Sequence, residues 1–220
     1  MNRISRYLPL LFAISLAHAQ SAAEVNLGFG TVHDKAGTGT DSNTGLACTT
    51  GSTCVVPPAL SGFFMGFGGT VMFTKHLGLG GEASIQPVKQ KYSVVYDSSG
   101  NAYDLKSRQI FYDVDAVYAP VNQKKVMVRL AGGVGGASTR FSVTSSSCLG
   151  TAVCQSSTQS YGNATHFQVH AGLGVQLYLK EHLFIRPQFD LHYVPNFTNQ
   201  FGSNIAPGAM IWIGYSIGDR

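Results

Sequence analysis

Nowhere does this chain hold eighteen consecutive apolar residues, so no segment of it is long enough to cross a bilayer as a helix. Charge is scarce too. Asp, Glu, Lys and Arg make up only 12% of the residues, about half of the roughly 25% usual in soluble globular chains. The one compact apolar run, Leu8 to Ala17, is short and contains Pro9; it follows Arg3 and Arg6 and leads into the small-x-small site Ala17-His18-Ala19. That arrangement reads as an export signal over residues 1–19, cleaved after Ala19, with a single domain over residues 20–220. Loss of Arg3 and Arg6 lowers the formal net charge from +4 to +2, which is no electrostatic footprint for nucleic acid.

What the chain does have is strict alternation. From His166 to Lys180, the residues His166, Gln168, His170, Gly172, Gly174, Gln176 and Tyr178 alternate with Phe167, Val169, Ala171, Leu173, Val175, Leu177 and Leu179. A period of two means a strand with two different faces. One face is wholly apolar, the other is glycine or polar, and the run exceeds the roughly 5 to 6 residues of an ordinary soluble strand. A membrane-spanning strand needs about 9 to 11. A soluble sandwich would show Lys, Glu and Thr on its polar face, whereas Gly, Gln and His dominate here, and glycine suits the concave wall of a narrow barrel.

The same pattern recurs in seven other segments: Val25 to Thr31, Gly62 to Phe73, from Leu77, up to Ala119, from Val126, from Leu183 and around Gly208 to Ile217. Connections near Lys75, Asn122 to Lys125 and Lys180 to His182 are short, and those between are long and rich in Gly, Ser, Asn and Asp. Short periplasmic turns and long extracellular loops are the signature of an all-β, eight-stranded antiparallel up-and-down transmembrane β-barrel, the closed form that satisfies every backbone group in lipid. Pro87 and Pro187 fall inside strand patterns, where each removes a ladder donor. The four cysteines have one repeated spacing, Cys48 with Cys54 and Cys148 with Cys154. In the oxidising space outside the inner membrane, local disulfides in the first and third surface loops are expected, although spacing alone leaves cross-pairing open.

On these strands, and on the segment Gly172 through Asp190 (GLGVQLYLKEHLFIRPQFD), the chain resembles the OmpA-like outer-membrane β-barrel superfamily, including the OmpX type. The resemblance implies outer-membrane localisation, contact with outer-membrane lipids and lipopolysaccharide, and handling by the barrel-assembly machinery. It departs from the pattern at the end, where Tyr215 and Ile217 are followed by Gly218-Asp219-Arg220 rather than a terminal aromatic residue, and no periplasmic peptidoglycan-binding segment is expected. Some such barrels are lipid A deacylases with a His-x-Ser pair. None of the seven histidines has serine two positions later, so no catalytic residue is assigned. No metal or cofactor is expected either. His166 and His170 lie about 13 Å apart on a strand.

The constellation that stands out is inward charge. Glu82, Asp113, Asp115, Arg129, Arg186 and Asp190 all occupy the polar phase of their strands, within a slab roughly 10 Å thick. Charges buried together are normally paired. The expectation is a plug in which Arg129 and Arg186 pair with acids drawn from Glu82, Asp113, Asp115 and Asp190. The protein is then a structural or surface-interaction barrel whose loops meet an extracellular ligand. The alternatives are a narrow porin or small-solute channel, and a lipid-modifying enzyme at the barrel mouth.

Overall fold

The computed structural model describes residues 22–35, 58–96, 102–149 and 153–218. Its strands are β1 (Ala22–Val32), β2 (Phe63–Met72), β3 (Leu77–Ile85), β4 (Gln90–Tyr96), β5 (Ala102–Asn122), β6 (Val126–Leu149), β7 (Val153–Tyr178), β8 (Leu183–Tyr193) and β9 (Ile205–Ile217). All neighbours are antiparallel, and the β1–β9 and β3–β5 pairings close the sheet on itself. β3 and β4 both pair with β5, one along Ile110 to Tyr118 and the other along Ala102 to Ser107. They are two halves of one stave, so the nine strands make an eight-stranded closed barrel.

Pro87 lies in the break between those halves, where a residue without an N–H can be accommodated. Gln86 stitches the gap. Its N–H donates to the Gln109 carbonyl at 3.0 Å, its Oε1 accepts the Gln109 N–H at 3.0 Å, and its Nε2 donates to the Ser61 carbonyl at 2.6 Å. Pro187 sits within β8, and there the β7–β8 ladder passes from Gly174↔Gln188 directly to Leu177↔Ile185.

The alternation sorts side chains in the sense opposite to a soluble protein. Leu27, Phe67 and Val114 are 60%, 62% and 57% exposed on the outer wall, while charged residues of the same strands are buried. An apolar belt of this extent is stable only against lipid. Phe63, Tyr112, Phe167 and Tyr193 lie exposed toward one rim, and Phe73, Tyr118 and Tyr215 toward the other, the two aromatic girdles of a barrel at its membrane interfaces.

The short connections are 73–76, 123–125 and 179–182. The far side differs from the sequence expectation in two places. The connection after β3 contains an extra strand, β4, and the expected third loop is largely strand, because β6 and β7 continue in register as far as Leu149↔Val153. Ser and Thr on both faces of that hairpin erase the apolar alternation, yet the ladder needs only backbone partners and β-tolerant residues. Cys148 and Cys154 stand directly opposite one another in this hairpin. Ala19, Cys48 and Cys54 lie outside the described residues.

Candidate functional site

Each strand turns alternate residues inward, and eight staves leave an interior that side chains can just fill. They fill it in three layers. Near the extracellular rim lies an apolar cluster that includes Leu60, Phe64, Phe111, Phe197, Phe201 and Trp212. A short 3-10 turn, Phe197–Asn199, brings two of these rings in from the β8–β9 connection. Near the periplasmic end Met72, Val117, Met127, Tyr178 and Phe184 form a second apolar cluster. Between them lies the charge. Glu82, Asp113, Asp115, Arg129, Arg186 and Asp190 are all buried there.

The charged layer divides into two groups. In the first, Glu82 is the hub: its Oε1 accepts from Arg186 Nη2 at 2.7 Å and Arg129 Nη2 at 3.2 Å, and its Oε2 accepts from Gln188 Nε2 at 2.8 Å. Arg129 Nη1 donates to Thr70 Oγ1 at 2.5 Å and lies 3.9 Å from Glu24 Oε2. The other carboxylate oxygen of Glu24 accepts from Gln176 at 2.7 Å and from the Tyr178 hydroxyl at 3.0 Å. Arg186 also lies over the Trp212 ring, 5.4 Å from its centroid, a favourable cation–π placement.

In the second group His170 is the hub. Its Nδ1 lies 3.0 and 3.1 Å from the two oxygens of Asp115, and its Nε2 lies 3.1 Å from Asp190 Oδ1. Asp113 Oδ1 is 3.7 Å away. Gln188 Nε2 donates to Asp190 Oδ1 at 2.7 Å as well as to Glu82, and so ties the two groups together. His192 is stacked between Phe111 and His170, with ring centroids at 4.4 and 5.0 Å.

Both arginines pair with Glu82, one of the four acids from which their partners were expected to be drawn, while Asp113, Asp115 and Asp190 gather round His170. The arginines' second acid is Glu24, one residue before the strand boundary read from sequence. His170, His192 and Gln188 stood on the inward phase, and their importance lay hidden because the phase says which side chains enter the lumen and not which ones meet.

Glycine makes the room. A Cβ on Gly28 would come within 2.6 Å of the Trp212 ring and one on Gly66 within 2.5 Å, so the indole rests on bare backbone from two staves. Gly80 does the same for Arg129, whose Nη2 would lie 2.9 Å from an added Cβ.

Asp113, His170 and His192 offer ligand atoms within 4.8 Å of one another. The two imidazole planes are only 22° apart in a stack, so their in-plane lone pairs do not converge on one ion, and both nitrogens of His170 already face carboxylates. A metal does not fit this arrangement. A cavity of about 10 Å³ beside Asp113, His170 and His192 is the size for a single water. The chemistry this layer supports is charge neutralisation among buried side chains.

The family model described as outer membrane protein beta-barrel domain matches residues 7–218. Among solved structures the chain is similar to Ail, the attachment invasion locus protein of Yersinia pestis, in complex with the heparin analogue sucrose octasulfate. The identity is 13%, 90% of this chain and 99% of that chain are covered, and the TM-score is 0.50. It is also similar to the outer membrane protein OprG from Pseudomonas aeruginosa, at 15% identity over 92% of this chain and 98% of that one, with a TM-score of 0.47. At these identities the likeness is one of fold. No curated protein matches the chain.

Proposed function

From the premise that the chain belongs to the outer membrane protein beta-barrel domain family and resides in the outer membrane, we propose that it is a non-conducting barrel that holds a surface-interaction sheet above the membrane. One observation carries this reading: strands continue past a lumen that is already filled. β5, β6 and β7 have 21, 24 and 26 residues, where a tilted strand needs about 9 to 11 to span. The excess, joined by β4, forms a four-stranded sheet beyond the barrel. Ordering that much backbone costs about 1 to 2 kcal/mol per residue, a cost with no return in barrel closure.

Among the described residues β4 pairs only with β5, and β7 above Val169 pairs only with β6, so each presents an edge of the sheet. Unpaired strand edges recognise extended segments of a partner through main-chain hydrogen bonds. A sulfated glycan, the class of compound bound in the Ail structure, is a second class of extracellular ligand to screen. Residues 1–19 are assigned as the export signal, cleaved after Ala19, and insertion is assigned to the barrel-assembly machinery. Lipopolysaccharide and other outer-membrane lipids form the solvent of the outer wall.

Conductance of the refolded chain in a planar bilayer tests the reading. A silent barrel is expected, and steady wild-type conductance would replace this proposal with the narrow porin. The lipid-modifying alternative is tested separately by the lipid A mass spectrum of a deletion strain, expected to match the parent.

A further inference from the structure

Four cations share the outward face of the projecting sheet: Lys91 on β4, Lys106 and Arg108 on β5, and Arg140 on β6. The register sets Arg108 directly opposite Arg140 and Lys91 directly opposite Lys106. Like charges directly opposed across a ladder destabilise it. Two such pairs lie side by side here, and the one acid of the described residues in an ion pair with them is Asp104, at 2.7 Å from Lys91 Nζ. Arg108 Nε donates to the Gln86 carbonyl at 3.0 Å, which holds its guanidinium against the wall.

The height of these cations is informative. Outward residues are apolar and exposed up to Tyr112 on β5 and Phe167 on β7. One row higher, Ile110, Ser138 and Thr165 are register partners, and Thr165 Oγ1 donates to Ser138 Oγ at 3.2 Å, so the wall changes from apolar to hydroxylated there. The next row is Arg108, Arg140 and Asn163. The arginines therefore form the first charged row above the lipid belt, two rows or about 10 Å beyond the last apolar level for a strand tilted as in small barrels. On the opposite wall β1, β2, β8 and β9 end outward in Thr31, Phe63, Tyr193 and Ile205, and the described cation just beyond those ends is the single Lys35, three residues past β1.

We propose that Arg108, Arg140, Lys106 and Lys91 form a binding site for the phosphates of an outer-leaflet glycolipid, lipopolysaccharide, whose acyl chains lie along the exposed wall below at Tyr112, Val114 and Phe167. The phosphates sit between the opposed cations and convert their repulsion into shared charge-assisted hydrogen bonds; guanidinium binds phosphate with two parallel donors. The site depends on the barrel's orientation and not on whether its lumen conducts, so a conductance result leaves it intact.

The test uses the refolded full chain in phosphatidylcholine nanodiscs, titrated with lipopolysaccharide at low and at high salt. Wild-type protein is expected to bind, with affinity falling as salt rises. The double variant R108Q/R140Q is expected to lose tenfold or more in affinity, and R108K/R140K to keep most of it. Enzymatically dephosphorylated lipopolysaccharide is expected to bind wild type as weakly as intact lipopolysaccharide binds R108Q/R140Q. In nanodiscs without lipopolysaccharide, R108Q/R140Q is expected to unfold at the same or a higher denaturant concentration than wild type, since it removes a repulsion; this also reports that it folds. Equal binding by wild type and R108Q/R140Q, or undiminished binding of the dephosphorylated lipid, would overturn the proposal. Competition by inorganic pyrophosphate as effective as by lipopolysaccharide would overturn the lipid assignment in favour of a soluble anion.

Discussion

The two ends of β5, β6 and β7 share one hydrogen-bond ladder and live under opposite rules. In the barrel half every inward charge is buried and its partners come from other staves: Arg129 on β6 meets Glu82 on β3, and His170 on β7 meets Asp115 on β5 and Asp190 on β8. In the projecting half Ser156, Ser157, Thr158, Gln159 and Ser160 are exposed, and contacts such as Ser145 with Ser157 and Thr144 with Thr158 join only neighbouring strands. The barrel half therefore depends on closure, whereas the projecting half depends on its turn and ladder. Removing a group costs much in the first region, where water cannot replace a lost partner, and little in the second, where it can.

The largest effect is expected at Glu82. Glu82→Gln removes the carboxylate that serves both arginines and leaves Glu24, 3.9 Å from Arg129, as their nearest acid partner. Leaving buried charge uncompensated typically costs about 3 to 5 kcal/mol. Urea unfolding of refolded protein in detergent checks this; a change below about 1 kcal/mol would mean that the interior is wet and the contrast between the regions false. His170→Asn tests the second group in the same way. Asp113, Asp115 and Asp190 would then face one another without the imidazole that joins them, with a loss of about 3 kcal/mol expected.

Arg129→Ala and Arg186→Ala are expected to cost about 3 kcal/mol each. Because five inward acids then face one arginine and His170, a small cation-favouring conductance is expected, against the silence expected of the wild type. Stable, silent variants would show that the apolar layers alone close the lumen. Gly28→Leu, which drives a side chain into the Trp212 ring, is expected to cost about 1 to 3 kcal/mol through overpacking.

The smallest effects belong to the projecting sheet. Replacing residues 143–159 by an Asn-Gly turn is expected to shift barrel unfolding by no more than about 0.5 kcal/mol, the range of surface changes. Cys148 and Cys154 are proposed to be disulfide-bonded. Directly opposed strand positions have Cα atoms about 4.5 to 5.5 Å apart, within the span a disulfide accepts. Non-reduced peptide mapping is expected to find this link, and Cys148→Ser/Cys154→Ser to change barrel stability by less than about 1 kcal/mol, since the added constraint falls on strands already paired outside the barrel. Cys148 joined to Cys48 instead would show two loops bridged across the mouth, and the two regions would no longer be independent.

Alternation in the sequence was sufficient for the fold class, the eight staves, the three short turns and the inward phase of Glu82, Asp113, Asp115, Arg129, Arg186 and Asp190, though not of Glu24, which precedes the first strand read from sequence. It works because a strand has a period of two and the bilayer demands one wholly apolar face, so local composition and global architecture report the same constraint. The signal fades where that demand ends. Toward the outer end of β7, consecutive residues 156–160 are all exposed, nothing there requires alternation, and a Ser- and Thr-rich strand reads as a loop.

Which residues meet was decided by tertiary structure. Phase and approximate height are properties of one strand, but the partner of a lumen charge is set by the stagger of eight strands around the closed ring and by where glycine leaves space. Glu82 and Arg186 are 104 positions apart in sequence and 2.7 Å apart in the barrel, and Glu24 reaches Gln176 and Tyr178 from the other end of the chain. Closure brings these groups together, and the exclusion of water then makes their pairing obligatory. The amino-acid sequence determined that charge would lie in the lumen; the closed ring determined how it is neutralised.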